Sequence, residues 1–462
     1  MNRSIKNIVM DTCIPKAGNI RKLLAFLIAG FLVGLFAIGP TNADLKQLPP
    51  PLTEADFPKV DQGQVELGRL LFYDPILSGN KNISCATCHH ETLASGDGLS
   101  LGVGEGGVGL GTKRTPGQGG DHIEKRVPRN APGLFNVGAS QIHTLFHDGR
   151  VMEKDTYGNR FHTPAEEFLP DGLDSVLAAQ ALFPVTSKTE MAGNPGENNV
   201  AFETNRHPRY VWPILSARVR AIEDYKPLFY IAFADVRAGE PVTYVHIANA
   251  LAAFMDFEWR SFDSPFDAYL NGDEKALTQQ QLAGMELFYG KAACAQCHEG
   301  ALLTDQKFHA LALPQFGPGR TRRFDPYVRD VGRMGVTDRL EDAYRFRTPS
   351  LRNVELTAPY GHNGAYADLR GIVMHHLNPM QSLEQWDRGQ LLMPEIQAFA
   401  RKDFIVFEDT RELERHKSHV DIKPVDLNDT EIDQVLSFLK ALTGTDGRLG
   451  APDSVPSGLP LD

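Results

Sequence analysis

The chain has 462 residues, of which 42% are hydrophobic and 23% are charged, and this balance predicts a globular protein long enough for two domains. Its formal net charge of −11 disfavours binding to nucleic acid or to an anionic membrane surface.

The N-terminus has the pattern of an export signal. Basic residues precede an apolar run from Leu23 to Gly39, and the small residue Ala43 follows as a cleavage site. The run is about one turn shorter than a comfortable membrane span. We therefore expect residues 1–43 to be a cleaved signal of a periplasmic protein, with an uncleaved anchor as the alternative. Cleavage would change the net charge to −15 and leave an acidic surface suited to a basic redox partner.

The next segments lead to a short motif. Residues 44–60 contain Pro49, Pro50, Pro51 and Pro58 and predict an extended linker. From Asp61 to Tyr73 the apolar residues recur at helical spacing, and Asp74-Pro75 predicts the end of this helix.

Two copies of Cys-x-x-Cys-His dominate the chain: Cys85, Cys88 and His89, then Cys294, Cys297 and His298. This is the attachment signature of c-type haem, in which two thiols add to the porphyrin vinyl groups and the adjacent imidazole binds the iron. A zinc site usually brings four ligands close together, and a dithiol site needs no histidine. The motifs therefore predict two covalently bound haems. Cys13 lies in the predicted signal, so no cysteine remains for a structural disulfide.

A glycine-rich segment follows the first motif, with 11 glycines in the 25 residues from Gly96 to Gly120. Ordering so many glycines as helix or strand is costly, which predicts a long loop over the first haem. Gly102-x-Gly104-x-x-Gly107 resembles a dinucleotide fingerprint, but that motif requires a preceding strand and a following helix. We therefore reject nucleotide binding.

Three elements occur twice in the same order and indicate an internal duplication. Before each haem motif comes Gly-x-x-Leu-Phe-Tyr, which begins at Gly68 and at Gly284. After it come Pro-x-Leu-x-Asn-Val, which begins at Pro132 and at Pro349, and then His-Asp/Asn-Gly, which begins at His147 and at His362. We predict two homologous haem domains, residues 61–268 and 269–446, and a tail of residues 447–462.

The expected fold class is mainly α, with two cytochrome c-like haem domains, long loops and little strand. Helical periodicity covers residues 172–183, 242–257 and 429–443, and Asn428 is placed to cap the last of these helices.

These motifs, together with Arg347 to Val354, Pro359 to Gly364 and the segment from Pro184 to Met191, resemble the bacterial di-haem cytochrome c peroxidase superfamily, including its MauG-type branch. The resemblance covers about residues 60–445. It implies that the haem on His89 is peroxidatic, whereas the haem on His298 accepts and relays electrons.

The resemblance also implies a sixth ligand for the second haem on a helix after the His-x-Gly element. Counting from His362 places His376 where the family has Met or Tyr, and a slip in register leaves Met374 and His375 as alternatives. Imidazole is a common metal ligand, and bis-imidazole ligation lacks the thioether that raises the reduction potential.

At the first haem, the loop from Ser100 to Gly107 has no histidine where the best-known peroxidases carry a distal one. The resemblance therefore implies an open sixth position, as in MauG-type proteins, and His122 is the residue that would overturn this. Glu190 matches the family's acid-base glutamate, whose chemistry requires a carboxyl group that cycles a proton.

Two further expectations come from the resemblance. His147 occupies the position of a family tryptophan between the haems, and either it bridges the haems or the relay runs without it. A Ca²⁺ ion between the domains would take oxygen ligands, and the matching positions are Asn130, Thr357 and Pro359.

The function expected from the sequence is reduction of hydrogen peroxide to water, with electrons from a small c-type cytochrome or a cupredoxin. One alternative is a MauG-type oxidase that acts on the side chains of a partner protein. A second is a non-enzymatic di-haem electron carrier. A homodimer remains open.

Overall fold

A computed structural model of the chain describes residues 48–118, 122–321, 328–445 and 447–462. The predicted signal, residues 1–43, and the beginning of the predicted linker lie outside these residues. Over the described ranges, no helix combines the length and the apolar character that a membrane span requires.

The described residues are mostly helices and loops. The α-helices are α1 (Gln62–Tyr73), α2 (Cys85–Cys88), α3 (Val176–Gln180), α4 (Asn199–Thr204), α5 (Val211–Arg220), α6 (Tyr225–Ala232), α7 (Ala234–Arg237), α8 (Tyr244–Glu258), α9 (Pro265–Leu270), α10 (Gln279–Tyr289), α11 (Met334–Thr337), α12 (Leu369–Leu377), α13 (Pro379–Glu384), α14 (Thr410–Lys417) and α15 (Asp429–Lys440).

The strands are two or three residues long and pair in antiparallel fashion. β1 (Gly107–Val108) pairs with β2 (Thr115–Pro116), β4 (Val151–Glu153) lies between β3 (Thr144–Leu145) and β5 (Phe161–His162), and β6 (Phe308–His309) pairs with β7 (Phe346–Arg347). The predicted class, mainly α with little strand, is confirmed.

The predicted helices form where the periodicity places them, within the usual uncertainty at their ends. Asn428 caps α15 as expected, because its side chain accepts a hydrogen bond from the Glu431 amide. The helix predicted over residues 172–183 is shorter in the structure, where α3 covers Val176–Gln180. It begins only at Val176 because the Ser175 side chain caps it by accepting a hydrogen bond from the Ala178 amide.

Each half contains a closely packed pair of helices, α1 with α8 and α10 with α15. A glycine makes each close approach possible. A Cβ atom at Gly68 would lie 1.9 Å from the carbonyl oxygen of Ala250, and one at Gly284 would lie 1.9 Å from that of Gln434. The repeated sequence element is therefore a repeated contact between helices.

The asparagine of the repeated Pro-x-Leu-x-Asn-Val element also has the same role twice. Asn136 and Asn353 both have positive φ, and each side chain binds the chain that follows the second helix of its pair. Asn136 donates to Ser261 O at 2.7 Å and accepts from Ser261 N at 2.8 Å. Asn353 donates to Thr445 O and accepts from Gly444 N, both at 3.0 Å. These matched contacts support the internal duplication.

Each of the two helix pairs belongs to its own hydrophobic cluster. Leu52 and Phe57, in the predicted linker, are buried in the first cluster, so this part of the linker packs onto the first half. Val455 in the tail is buried in the same cluster. The tail is further held by Ser457, whose hydroxyl donates to Asp74 Oδ1 at 2.7 Å.

The halves meet through a reciprocal pair of backbone hydrogen bonds. The amide of Asn130 donates to the carbonyl of His362 at 3.0 Å, and the amide of Arg347 donates to the carbonyl of His147 at 2.8 Å. Asn130 corresponds to Arg347 in the duplicated sequence, and His147 corresponds to His362. This contact places the two repeated His-Asp/Asn-Gly elements next to each other.

A buried ion-pair network lies at the same contact. The Arg129 guanidinium reaches Asp148 at 2.7 Å and Asp330 at 2.8 Å. The pKa of Arg129 is raised because the attraction of Asp148 and Asp330 outweighs its desolvation. The network therefore ties the first half to the second through a charge that is neutralised on both sides.

Gly68→Ala should destabilise the folded haem protein by about 1–3 kcal/mol, because the added methyl group forces α1 and α8 apart. The measurement is chemical unfolding followed by circular dichroism. Gly335→Ala, in α11, is the matched control, since the added Cβ would lie at an ordinary 3.5 Å from Val331 Cγ2. Equal stability of the two variants would contradict the proposed close contact.

Candidate haem sites and active site

The first motif forms α2, and His89 follows directly at its C-terminal end. The Nδ1 atom of His89 lies 2.9 Å from the carbonyl oxygen of Ser95. A carbonyl only accepts hydrogen bonds, so Nδ1 carries the proton and Nε2 keeps its lone pair. Burial also lowers the pKa of His89. The ring is therefore neutral and oriented, which is the form that binds a metal.

The second motif repeats this arrangement. His298 Nδ1 lies 3.1 Å from the carbonyl oxygen of Leu303. Burial, and next the neighbouring His376, lower the pKa of His298 to about 4. Both motif histidines thus present a bare Nε2 atom.

His376 on α12 faces His298. The two ring centres are 6.4 Å apart and the ring planes differ by 53°. Two imidazoles on opposite sides of one metal ion, at about 2 Å per metal–nitrogen bond, have ring centres about 6 Å apart. His376 Nδ1 donates to the Ile372 carbonyl at 2.8 Å, which leaves Nε2 as the ligand atom. The spacing fits an iron between the two rings.

The two alternatives on α12 lack this geometry. His375 uses both ring nitrogens, since Nε2 donates to Leu311 O at 2.7 Å and Nδ1 accepts from the Tyr366 hydroxyl at 2.8 Å. Met374 points outward and is 48% exposed. The geometry therefore favours His376 over the other two residues.

The residues present fit two c-type haems. None of the four motif cysteines is in a disulfide, and each pair lies beside its motif histidine, so both thiols of each pair are available for attachment to a haem. The second site adds His376 opposite His298, so two imidazoles would be available to hold the iron there.

Glu190 lies in a turn of π-helix, Lys188–Ala192. The Ser187 carbonyl accepts hydrogen bonds from the amides of Glu190 and the two residues after it, at 2.9–3.2 Å. Such turns are frequent at functional sites. Glu190 is half-buried, and its charge acts on Cys88 and on Arg150. The structure therefore places Glu190 beside the first haem motif.

The glycine-rich loop packs against this turn. Residues 101–107 are buried, and the Glu105 amide donates to the Thr189 carbonyl at 3.1 Å. A Cβ atom at Gly104 would lie 1.9 Å from that same carbonyl oxygen. The glycine is required because the loop backbone touches the turn that carries Glu190.

Arg114 holds this loop in place. Its guanidinium is buried and donates to three loop carbonyls, those of Val103, Gly104 (2.8 Å) and Gly109 (2.7 Å). The binding of the loop carbonyls by Arg114 was not predicted from the sequence. The available signal was a single arginine within the glycine-rich run, where a buried cation can be satisfied by backbone carbonyls.

His122, the residue able to overturn the open-site expectation, is exposed. Its charge acts on Glu197, and its carbonyl oxygen accepts a bond from Asn194 at 3.4 Å. Its position at the surface agrees with an open first site.

His147 lies between the halves. Its Nε2 atom donates to the Asn130 carbonyl at 3.1 Å, and burial, followed by the charge of Arg129, lowers its pKa to about 4. Asn130 contacts the loop that contains Thr357 and Pro359 through the carbonyl of His362. The Thr357 hydroxyl donates to Val354 O at 3.3 Å. Calcium binding at these positions stays a prediction.

His362 was not identified as a site residue from the sequence. Its ring is buried, stacks on Phe346 with ring centres 3.6 Å apart, and neither ring nitrogen has a partner among the described residues. Its equivalence to His147 was the available signal.

Comparison with known proteins agrees with this geometry. The family model of the di-haem cytochrome c peroxidases matches residues 62–275. The chain is 30% identical over 358 residues to the methylamine utilization protein MauG of Methylorubrum extorquens, covering 76% of this chain and 78% of the relative. It is 31% identical over 335 residues to cytochrome c551 peroxidase of Pseudomonas aeruginosa, covering 72% and 77%.

The fold comparison gives the same class. A crystal structure of a MauG-like protein associated with microbial copper homeostasis has a TM-score of 0.54 and 28% identity, covering 87% of this chain and 96% of that one. The diheme peroxidase BthA of Burkholderia thailandensis, 22% identical with a TM-score of 0.51, shares the fold, covering 87% and 90%.

The chain belongs to the di-haem cytochrome c peroxidase family. It is an oxidoreductase of the cytochrome c peroxidase or MauG-like kind, and it carries two c-type haems, one for each of its motifs.

Arg114→Met should loosen the glycine-rich loop, because three buried carbonyls lose a charged donor, at a cost of about 2 kcal/mol. Hydrogen exchange followed by mass spectrometry should show faster exchange over residues 100–118. Lys113→Met, at an exposed neighbouring position, is the control and should leave the exchange unchanged. Unchanged exchange in Arg114→Met would show that the loop is held by other contacts.

Proposed function

We propose that this chain is an exported peroxidase that reduces hydrogen peroxide to water at the His89 haem. Electrons enter through the His298 haem from a small c-type cytochrome or a cupredoxin. The observation that carries the proposal is the difference between the two sites. Glu190 and a loop without histidine adjoin the first motif, whereas His376 faces His298 at the second.

Haem, when bound at the first site, supplies an iron centre that binds peroxide and delivers electrons to it. Glu190 would perform the proton transfer, because its carboxylate can take the proton from one peroxide oxygen and return it to the other, which departs as water. Such acid-base assistance typically contributes 10²–10⁴-fold. The half-buried position of Glu190 lets it exchange its proton with water between turnovers.

The fixed contacts of the loop keep this site accessible. Arg114 and the contact of Gly104 with Thr189 hold the loop beside Glu190, and the loop from Ser100 to Gly107 contains no imidazole to bind the iron. We therefore propose that the oxidised protein reacts with peroxide without prior reduction.

The second site is built to relay electrons. His298 and His376 are both neutral and oriented by backbone carbonyls. With haem bound there, the two imidazoles would both hold the iron and would leave no place for peroxide. His147, hydrogen-bonded at the contact between the halves, is the proposed bridge between the two haems.

A MauG-type oxidase acting on a partner protein's side chains is the second candidate. It is favoured by the loop without histidine and by the likeness to MauG. Mass spectrometry of a partner protein after treatment with peroxide and this enzyme distinguishes the two functions. Oxidised side chains support the second candidate, and rapid oxidation of a small cytochrome supports the first.

Glu190→Gln should lower the rate at which the oxidised holoprotein reacts with hydrogen peroxide by about 10²–10⁴-fold, because the amide cannot accept the proton. Stopped-flow absorbance of the haem bands measures this rate. Glu197→Gln changes an exposed carboxylate seven residues further on and is the control. An unchanged rate in Glu190→Gln would remove its assigned role.

The same stopped-flow experiment tests the open site. Wild-type protein should react at once in the oxidised state. A requirement for half-reduction would contradict the open site, and a spectrum with low-spin haem alone would favour an electron carrier.

His376→Ala should abolish the low-spin electron paramagnetic resonance signal of the second haem, because one axial imidazole is lost. Met374→Ala and His375→Ala are the controls and should keep that signal. Retention of the low-spin signal in His376→Ala, with its loss in a control, would identify another ligand.

A further inference from the structure

We propose that Tyr344 is a redox-active tyrosine through which oxidising equivalents leave the haems toward the protein surface when the usual electron donor is absent. The proposal rests on the peroxide reaction proposed above. It assigns a function to a polar cluster on α14 that the peroxidase mechanism does not use.

Tyr344 is bound to a proton acceptor. Its ring is buried, and its hydroxyl donates to Glu412 Oε1 at 2.6 Å. Glu412 is also buried and lies in the first turn of α14. Burial and the neighbouring carboxylate raise the pKa of Tyr344. The tyrosine is therefore protonated at rest, with a base in direct contact.

The carboxylate stays in place because two guanidinium groups bind it. Arg329 Nη1 donates to Glu412 Oε2 at 2.8 Å, and Arg415 Nη1 donates to the same oxygen at 3.1 Å. Oε1 is left to accept from the phenol. A phenol that loses an electron becomes a strong acid, so even a carboxylate held by two cations takes its proton.

Two imidazoles flank the tyrosine ring. The ring centres of His416 and His419 lie 5.0 and 5.1 Å from that of Tyr344. Burial, followed by the charge of His419, lowers the pKa of His416 to about 3. The inner imidazole is therefore neutral and does not oppose removal of an electron from the phenol.

His416 connects the Tyr344 cluster electrostatically with the contact between the halves. His416 lies within electrostatic reach of His362, which stacks on Phe346. The carbonyl of His362 accepts the bond from Asn130 that joins the two halves. His416 therefore contacts Tyr344 and also acts on a histidine at the contact between the halves.

On its other side, the Tyr344 cluster reaches the protein surface through His419 and Arg415. His419 is half-buried, and the Arg415 side chain is 52% exposed. A small aromatic reductant in solution would reach His419 at this surface, with its ring centre 5.1 Å from that of the buried Tyr344. A site of this kind takes a phenol or an aromatic amine, which gives up one electron at a time.

The proposed step transfers one electron and one proton from Tyr344. Tyr344 gives one electron to a haem that peroxide has oxidised and its hydroxyl proton to Glu412 Oε1, leaving a neutral phenoxyl radical. The radical then takes one electron from the external reductant, and the proton returns from Glu412. The haem is reduced by one electron, and the reductant is oxidised by one.

A structural tie between the loop at Tyr344 and α14 is the alternative role of the same contacts. Tyr344→Phe separates the two roles, because it keeps the ring and its packing but removes the proton that must leave. Tyr225→Phe is the matched control. Tyr225 is also buried, and its hydroxyl donates to Asp74 Oδ2 at 2.7 Å, but its ring contacts the phenyl ring of Phe229.

The experiment treats the oxidised holoprotein with hydrogen peroxide in the absence of donor and freezes it for electron paramagnetic resonance. Wild-type and Tyr225→Phe proteins should show a tyrosyl radical, which narrows when the protein is grown on ring-deuterated tyrosine. Tyr344→Phe should lose this signal and should oxidise phenolic reductants more slowly, with cytochrome oxidation unchanged.

The haem absorbance of the same samples separates the two proposals. A haem change without a tyrosyl signal in the wild type, or an undiminished signal in Tyr344→Phe, would overturn the role of Tyr344 and leave the peroxide reaction intact. The absence of any haem change would overturn both. Loss of the signal in Tyr344→Phe alone supports the inference.

Discussion

The hydrogen bond from each motif histidine to a backbone carbonyl is the constraint on which both sites depend. His89 is held by Ser95 and His298 by Leu303, in each case through Nδ1. The bond fixes the tautomer, so that Nε2 is bare, and it fixes the direction in which Nε2 points. The helix pairs, the two asparagines with positive φ and the reciprocal bonds between the halves support this same arrangement twice.

The two halves share one arrangement, and they differ in what lies opposite each motif histidine. At the second motif His376 lies at the distance that two imidazoles on one iron require. At the first, a glycine-rich loop held by Arg114 packs against the Glu190 turn. This difference supports the proposal of electron transfer at the second site and of proton transfer at the first.

Much of this was predictable from residues that are close together in the chain. The Cys-x-x-Cys-His motifs, the capped helix at Asn428 and the repeated elements depend on local spacing, and the structure has the corresponding elements. Counting along the chain predicted His376 as the sixth ligand and left Met374 and His375 as alternatives. The contacts that distinguish these neighbours on one helix come from other segments of the chain, so the sequence did not show them. His375 meets Leu311 and Tyr366, and these contacts occupy both of its nitrogens.

The haem motifs, the internal duplication and the mainly helical class could be predicted from the sequence by itself, because each depends on the spacing of residues that are close together in the chain. Only the tertiary structure decided that Arg114 binds the loop carbonyls, that His376 faces His298 and that Tyr344 meets Glu412. These contacts join residues from different segments or set the direction of one side chain. Burial and hydrogen bonding select them, and neither can be read from a single stretch of chain.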